Sequence, residues 1–220
     1  MIMKEGIENR LREIVETSTR KAAIEEWKES SKKQMVPLYN YRLDHIEEVV
    51  SLAKVIAKAT NANLEVVTLA AWLHDLAKPG VGGLAAQHHG RVSAELAKEI
   101  LTAEKVDREI IDQVVVAIEK HVGLTIKKPL KPLEAQVLWE SDKIMKLGMI
   151  GFIQELLNGV RLFPGRGLEE ILEGLHEFTL LATEITNCMQ TERGKELAGE
   201  RLSTLKVLIK YLDDELNVGE

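Results

Sequence analysis

The run from Leu64 to about Lys78 restricts the fold more than any other stretch of this chain. Val66, Val67, Leu69, Ala70, Ala71, Trp72 and Leu73 leave it almost no polar face. A helix that is apolar all round must be covered on every side, so it belongs at the centre of a bundle. At its end stand His74, Asp75 and Lys78, just before Pro79 and Gly80. The most buried helix therefore presents two ligand types for divalent metals, with a lysine one turn on that can hold an anion beside such a metal.

The surrounding sequence supplies the covering helices. Ile7, Leu11, Ile14 and Val15 recur at helical spacing within a charged stretch from about Lys4 to Lys33, read as one or two amphipathic helices up to Pro37. Ile46, Val49, Val50, Ala53, Ile56 and Ala57 make an apolar stripe between Leu43 and about Ala59, and His45 lies on its side. Asn63 is placed to cap the central helix, with Glu65 in its first turn. A helix opens at His88-His89-Gly90-Arg91, and Asp107 is placed to cap the next, whose buried face (Ile110, Ile111, Val114, Ala117, Ile118) runs on to His121. Helices are then expected over Leu133–Leu147, Ile150–Asn158, about Leu168–Met189 and Glu192–Leu216. Neither a convincing alternating strand pattern nor an internal repeat is present. The predicted fold is all-α, one domain overall: an amphipathic segment over 1–36, a metal-binding core over 37–150, and C-terminal helices over 151–220 packed on that core.

Composition narrows the function. A formal charge of −6 gives no general attraction to nucleic acid or to an anionic membrane. Any anionic substrate then needs locally placed positive charge. The single Cys188 excludes an intrachain disulfide and a Cys-rich zinc site. With no N-terminal signal pattern and no apolar run of about 18 residues, the expected location is cytoplasmic.

His45, His74, Asp75, His89, His121 and Asp142 all fall at inward-facing helical positions or helix ends. Asp142 projects into the apolar side of its helix, one turn beyond Leu138. Separately buried, such groups are expensive; gathered around a cation they are not. Imidazoles and carboxylates favour Fe, Mn, Co, Ni, Zn or Mg over a thiolate-type site, and the set suffices for one or two ions with Asp75 as a bridge. Structural readings stand beside this one. A lone histidine on an apolar face is more often a hydrogen-bonded core residue, the reading kept for His176. His88 and His89 could be a polar helix start with one pointing inward, Lys78 could only pair with Asp75, and Asp142 could pair with a lysine.

As a set, these residues resemble the HD-domain superfamily of metal-dependent phosphohydrolases. His45, His74-Asp75 and Asp142 stand in that family's order, and Leu73-His74-Asp75-Leu76-Ala77-Lys78 resembles its HD-x-x-K form. His89-Gly90-x-x-Ser93-Ala94 and His121-x-Gly123 are similar to the extra histidines of the two-metal subgroups, which include dinucleoside tetraphosphatases. Ser141-Asp142-Lys143 followed by Leu147-Gly148 is similar to the last ligand motif. The resemblance covers about residues 40–150. Ala77 stands where glycine is common and Ser141 where alanine often is; neither change removes a ligand.

The resemblance implies an HD-domain-like bundle that hydrolyses a phosphoester or phosphoanhydride, with a nucleotide or other small phosphate as substrate. It assigns His45, His74, Asp75 and Asp142 to one divalent ion, and His89 and His121, with Asp75 bridging, to a second. Asp75 would orient the water and Lys78 would assist. Arg42 and Lys78 would contact phosphate, with Lys143, Lys120 and His88 at the rim. Some enzymes with this ligand set are di-iron oxygenases, and a non-catalytic nucleotide-binding module is a further alternative. The amphipathic N-terminal helix offers a surface for homo-oligomer contact.

Overall fold

The computed structural model describes residues 6–27, 39–77 and 85–216. Among these the chain is all-α, with no strand. The helices are α1 (Ile7–Glu26), α2 (Tyr41–Thr60), α3 (Leu64–Leu73), α4 (Ala85–Ala103), α5 (Arg108–Lys120), α6 (Leu133–Met145), α7 (Gly148–Leu162), α8 (Leu168–Asn187) and α9 (Glu192–Leu216).

Helix α3 is the centre, packed against α1, α2, α4, α5 and α6. Its residues from Val66 to Leu73 are all buried. Full burial of each Leu or Val side chain stabilises by roughly 1.5–3 kcal/mol, which is why so apolar a helix draws neighbours on every side. Asn63 caps it as expected: its side chain accepts from the N–H groups of Glu65 (3.1 Å) and Val66 (3.3 Å).

Three expectations are corrected. The central helix stops at Leu73, and His74 to Ala77 form a turn. There the Ala77 N–H leaves the helical ladder and donates to Ser93 Oγ of α4 at 3.1 Å. Asp107 precedes α5 without a side-chain capping bond. The helix after Gly148 is also longer than Ile150–Asn158, spanning Gly148–Leu162.

Helix α1 buries Ile7, Leu11, Val15, Thr19 and Ala23 against α2 and α3. Trp72 Nε1 donates to Glu8 Oε1 at 3.1 Å, and Lys54 pairs with the same carboxylate. The apolar face considered for an oligomer contact is therefore covered within the chain. Helices α8 and α9 pair with each other, and α9 reaches α2, α6 and α7. That contact is fixed by Glu140 of α6, which accepts from the N–H groups of Gln190 (2.5 Å) and Thr191 (2.7 Å) and from Thr191 Oγ1 (2.5 Å). Burial raises the Glu140 pKa, and these bonds to Thr191 and Gln190 work against that rise. No helix among the described residues is long and apolar enough to cross a membrane.

Candidate metal centre

Asp75 sits in the turn beyond α3 with each oxygen turned toward a different pair of histidines. Its Oδ2 lies 3.5 Å from His74 Nε2 and 3.6 Å from His45 Nε2. Its Oδ1 lies 3.3 Å from His89 Nε2 and 3.4 Å from His121 Nε2. Asp142 closes one end, with Oδ1 3.2 Å from His45 Nε2. Five elements meet here: α2 contributes His45, the turn after α3 His74 and Asp75, α4 His89, the end of α5 His121, and α6 Asp142.

The six residues form overlapping triads whose donor atoms lie within 4.8 Å of one another: His45–His74–Asp75, His74–His121–Asp142, and Asp75–His89–His121. Their backbone supports orient the rings. His74 Nδ1–H donates to the Ala71 carbonyl at 2.7 Å, and His121 Nδ1–H to the Ile118 carbonyl at 2.5 Å. Both bonds leave the Nε2 lone pair facing the cluster, as metal-ligating histidines do. His45 differs, since its Nδ1 meets Met145 Sδ at 2.9 Å, and a thioether is a weak acceptor.

The donor set fits a divalent cation. His74 Nε2 is fully buried and makes no hydrogen bond among the described residues. The His89 and His121 Nε2 atoms stand 3.2 Å apart, a spacing two imidazoles hold when a proton or a cation lies between them. Burial lowers the His74 pKa to about 3, against the opposing pull of Asp75, and so keeps its imidazole neutral as ligation requires. The Asp142 carboxyl is held well below the usual carboxylate range: burial pushes it up, but Lys143 and Lys146 pull it down further. The structure thus gives Asp142 its lysine partners and leaves it facing His45 as well.

Gly90 lets α4 come close enough to complete the His89–His121 pair. A Cβ there would stand 2.5 Å from Val122 Cγ2 and 3.3 Å from the Ile118 carbonyl oxygen.

The residues expected at the rim are more scattered. Lys143 is buried, paired with Asp142, and 5.8 Å from the Trp139 ring centre. Arg42 is buried, with Nη2 2.6 Å from Glu26 Oε1 of α1; its Nε and Nη1 groups have no hydrogen-bond partner among the described residues. His88 is exposed, and Lys120 Nζ donates to the Lys131 carbonyl at 2.5 Å. Lys78 lies outside the described residues. His176 is not a core residue: it is exposed and lies 2.9 Å from Asp213 of α9. Sequence reasoning missed Lys146 and Met145. Lys146 follows Asp142 by four residues on one helix, a spacing that brings side chains together, so its pairing was open to view.

Residues 42–147 match the family model of the HD domain, an interval that contains all six clustered residues. This part of the chain is an HD domain. Solved structures with this HD fold include Bacillus subtilis YpgQ in complex with ADP, at 22% identity and a TM-score of 0.64, covering 94% of this chain and 96% of that one. A predicted HD superfamily hydrolase from an uncultured Thermotogales bacterium aligns at 18% identity and a TM-score of 0.61, covering 99% and 100%. These likenesses concern the fold. One curated relative, a tRNA (cytidine(56)-2'-O)-methyltransferase of Thermoplasma volcanium, is 34% identical over 110 residues. That match takes in 50% of this chain and 25% of the relative, so the chain spans about a quarter of that protein's length.

Proposed function

We propose that this HD-domain chain is a metal-dependent phosphohydrolase acting on a nucleotide or another small phosphate ester or anhydride. The observation that carries the reading is the division of Asp75 between two histidine pairs, an arrangement suited to two ions sharing one carboxylate. His45, His74, Asp75 and Asp142 would hold one ion, and His89, His121 and Asp75 the other. Bound there, a divalent metal lowers the pKa of a water to roughly 7 and so supplies hydroxide at neutral pH.

The chain's own groups do the rest. Asp75 orients the water, since each of its oxygens faces a different half of the cluster. Arg42 brings buried N–H donors beyond its bond to Glu26, which suits a phosphate oxygen. Lys143 adds positive charge beside Asp142, and Lys78, His88 and Lys120 complete the proposed contacts. Burial of Arg42 and Lys143 strengthens their interactions relative to water. The ADP complex of the fold relative YpgQ supports starting with nucleotides. The methyltransferase name of the curated relative adds transfer RNA to the binding panel, where a chain of charge −6 is expected to bind it weakly.

The test begins with elemental analysis of protein purified without added metal, followed by a phosphate-release screen over nucleotides and small phosphate esters with the metal found. Wild type is expected to release phosphate from at least one class, and Asp75→Ala to lose both metal and activity. Metal-loaded wild type inert across the whole panel ends the reading. Iron-dependent oxygen consumption in the same preparation would replace it with oxygenase chemistry.

A further inference from the structure

We propose that Lys146 is a displaceable internal cation, holding the Asp142 end of the centre until a metal ion takes its place and then turning to the substrate's phosphate. The inference rests on the metal-dependent reading above and adds a residue to it.

The two cations would meet at one oxygen. Asp142 Oδ1 lies 3.2 Å from His45 Nε2, and the Lys146 ammonium pairs with that same oxygen. Oδ1 is the Asp142 oxygen that faces His45, so a divalent ion held by both residues would lie beside the Lys146 ammonium. Two positive charges at one oxygen repel each other, and binding of the ion favours an ammonium that has swung away.

Among the described residues two lysines touch Asp142, and they differ in exposure. Lys143 pairs with Oδ2, and its side chain is only 4% exposed. Lys146, the C-cap residue of α6, has a side chain 27% exposed, and it also donates to the Asp142 carbonyl at 3.0 Å. Its stem already reaches solvent, so rotation about the side chain carries the ammonium outward without breaking the core. Released, it stays within a side chain's length of the centre, where a phosphate held by metal would lie. Without metal, the same ammonium balances a buried carboxylate that would otherwise be costly to enclose.

The test measures two affinities in Lys146→Met, which keeps the apolar stem and removes the charge. Calorimetric titration of metal-free protein with Mn(II) is expected to show binding about ten-fold tighter than wild type, because a unit positive charge beside the ion is removed. Titration of the Mn-loaded protein with inorganic phosphate is expected to show weaker binding, on the order of ten-fold. The opposite signs are the diagnostic, because mere structural damage weakens both. Lys146→Gln serves as a second variant should the first fold poorly. Mn(II) affinity unchanged or weakened by loss of the ammonium overturns the proposal, and so does unchanged phosphate affinity. Phosphate release by wild type, measured alongside, tests the hydrolase reading separately.

Discussion

Replacing Asp75 by Asn keeps the side chain's volume but removes the charge that faces four imidazoles. Metal at about 100 times its Kd should stabilise the wild type by about 2.7 kcal/mol; in Asp75→Asn this gain should vanish while the metal-free melting temperature changes little. Thermal unfolding with and without Mn(II) checks both statements. Proton uptake provides a second prediction at this scale. His74 has its folded pKa lowered to about 3, whereas an unfolded histidine titrates near 6.5. Between those values the unfolded chain binds a proton that the folded chain refuses. Stability is thus fully present above about pH 6.5 and declines as pH falls toward 3. Asp142, held below the carboxylate range, acts with the same sign: its contribution is present above the unfolded value near 3.9 and is lost as pH falls through the folded one. Urea unfolding of chelator-treated protein should therefore give a lower midpoint at pH 5 than at pH 7, with each extra proton bound contributing up to about 1.4 kcal/mol per pH unit. A midpoint that rises on acidification would refute the assignment.

Helices bring the ligands together, and their contacts set how tightly. Gly90→Val should push α4 away from Val122 and the end of α5, at about 1–3 kcal/mol for a strained close contact. The expected signature is loss of one bound metal per chain, the one proposed for His89 and His121, from a protein that still folds; elemental analysis and circular dichroism together report it. Much at this scale was legible beforehand. The stripes of α2 and α5 and the Asn63 cap are local patterns, and they placed the elements within a few residues. The end of α3 was not legible, because no proline or glycine stands between Leu73 and Pro79 to mark a stop, and Ala77 finds its partner in Ser93, which lies on another helix. His176 was misread for a similar reason: its partner Asp213 is 37 residues away, beyond the reach of same-face spacing. Six scattered candidate ligands could be listed from sequence, but the split of Asp75 between its oxygens depends on tertiary distances alone.

At the scale of the whole molecule, the family match ends at residue 147, but the packing does not. Arg201 of α9 donates to the Ile144 carbonyl at 3.2 Å and to Glu48 at 2.7 Å, and Ala198, Leu202 and Leu205 are buried. A chain cut after Leu147 would expose this face of α6 and leave the enclosed Glu140 carboxylate without its three donors. It should lose cooperative unfolding and metal binding together, as read by a thermal melt. Glu140→Ala in the full chain should destabilise by about 3 kcal/mol or more, since hydrogen bonds to a charged group contribute about 1.5–3 kcal/mol each. A melting temperature unchanged by that substitution would show the clasp to be dispensable.

The thioether behind His45 leaves room for adjustment. Because one carboxylate faces both halves of the cluster, a substitution at Asp75 disturbs both at once. A change in metal preference that keeps all six side chains would have to come from outside their ring, and Met145 stands there as a poor base where a carbonyl or carboxylate would make His45 a stronger electron donor. Directed selection for a different metal should therefore find its first gains at position 145.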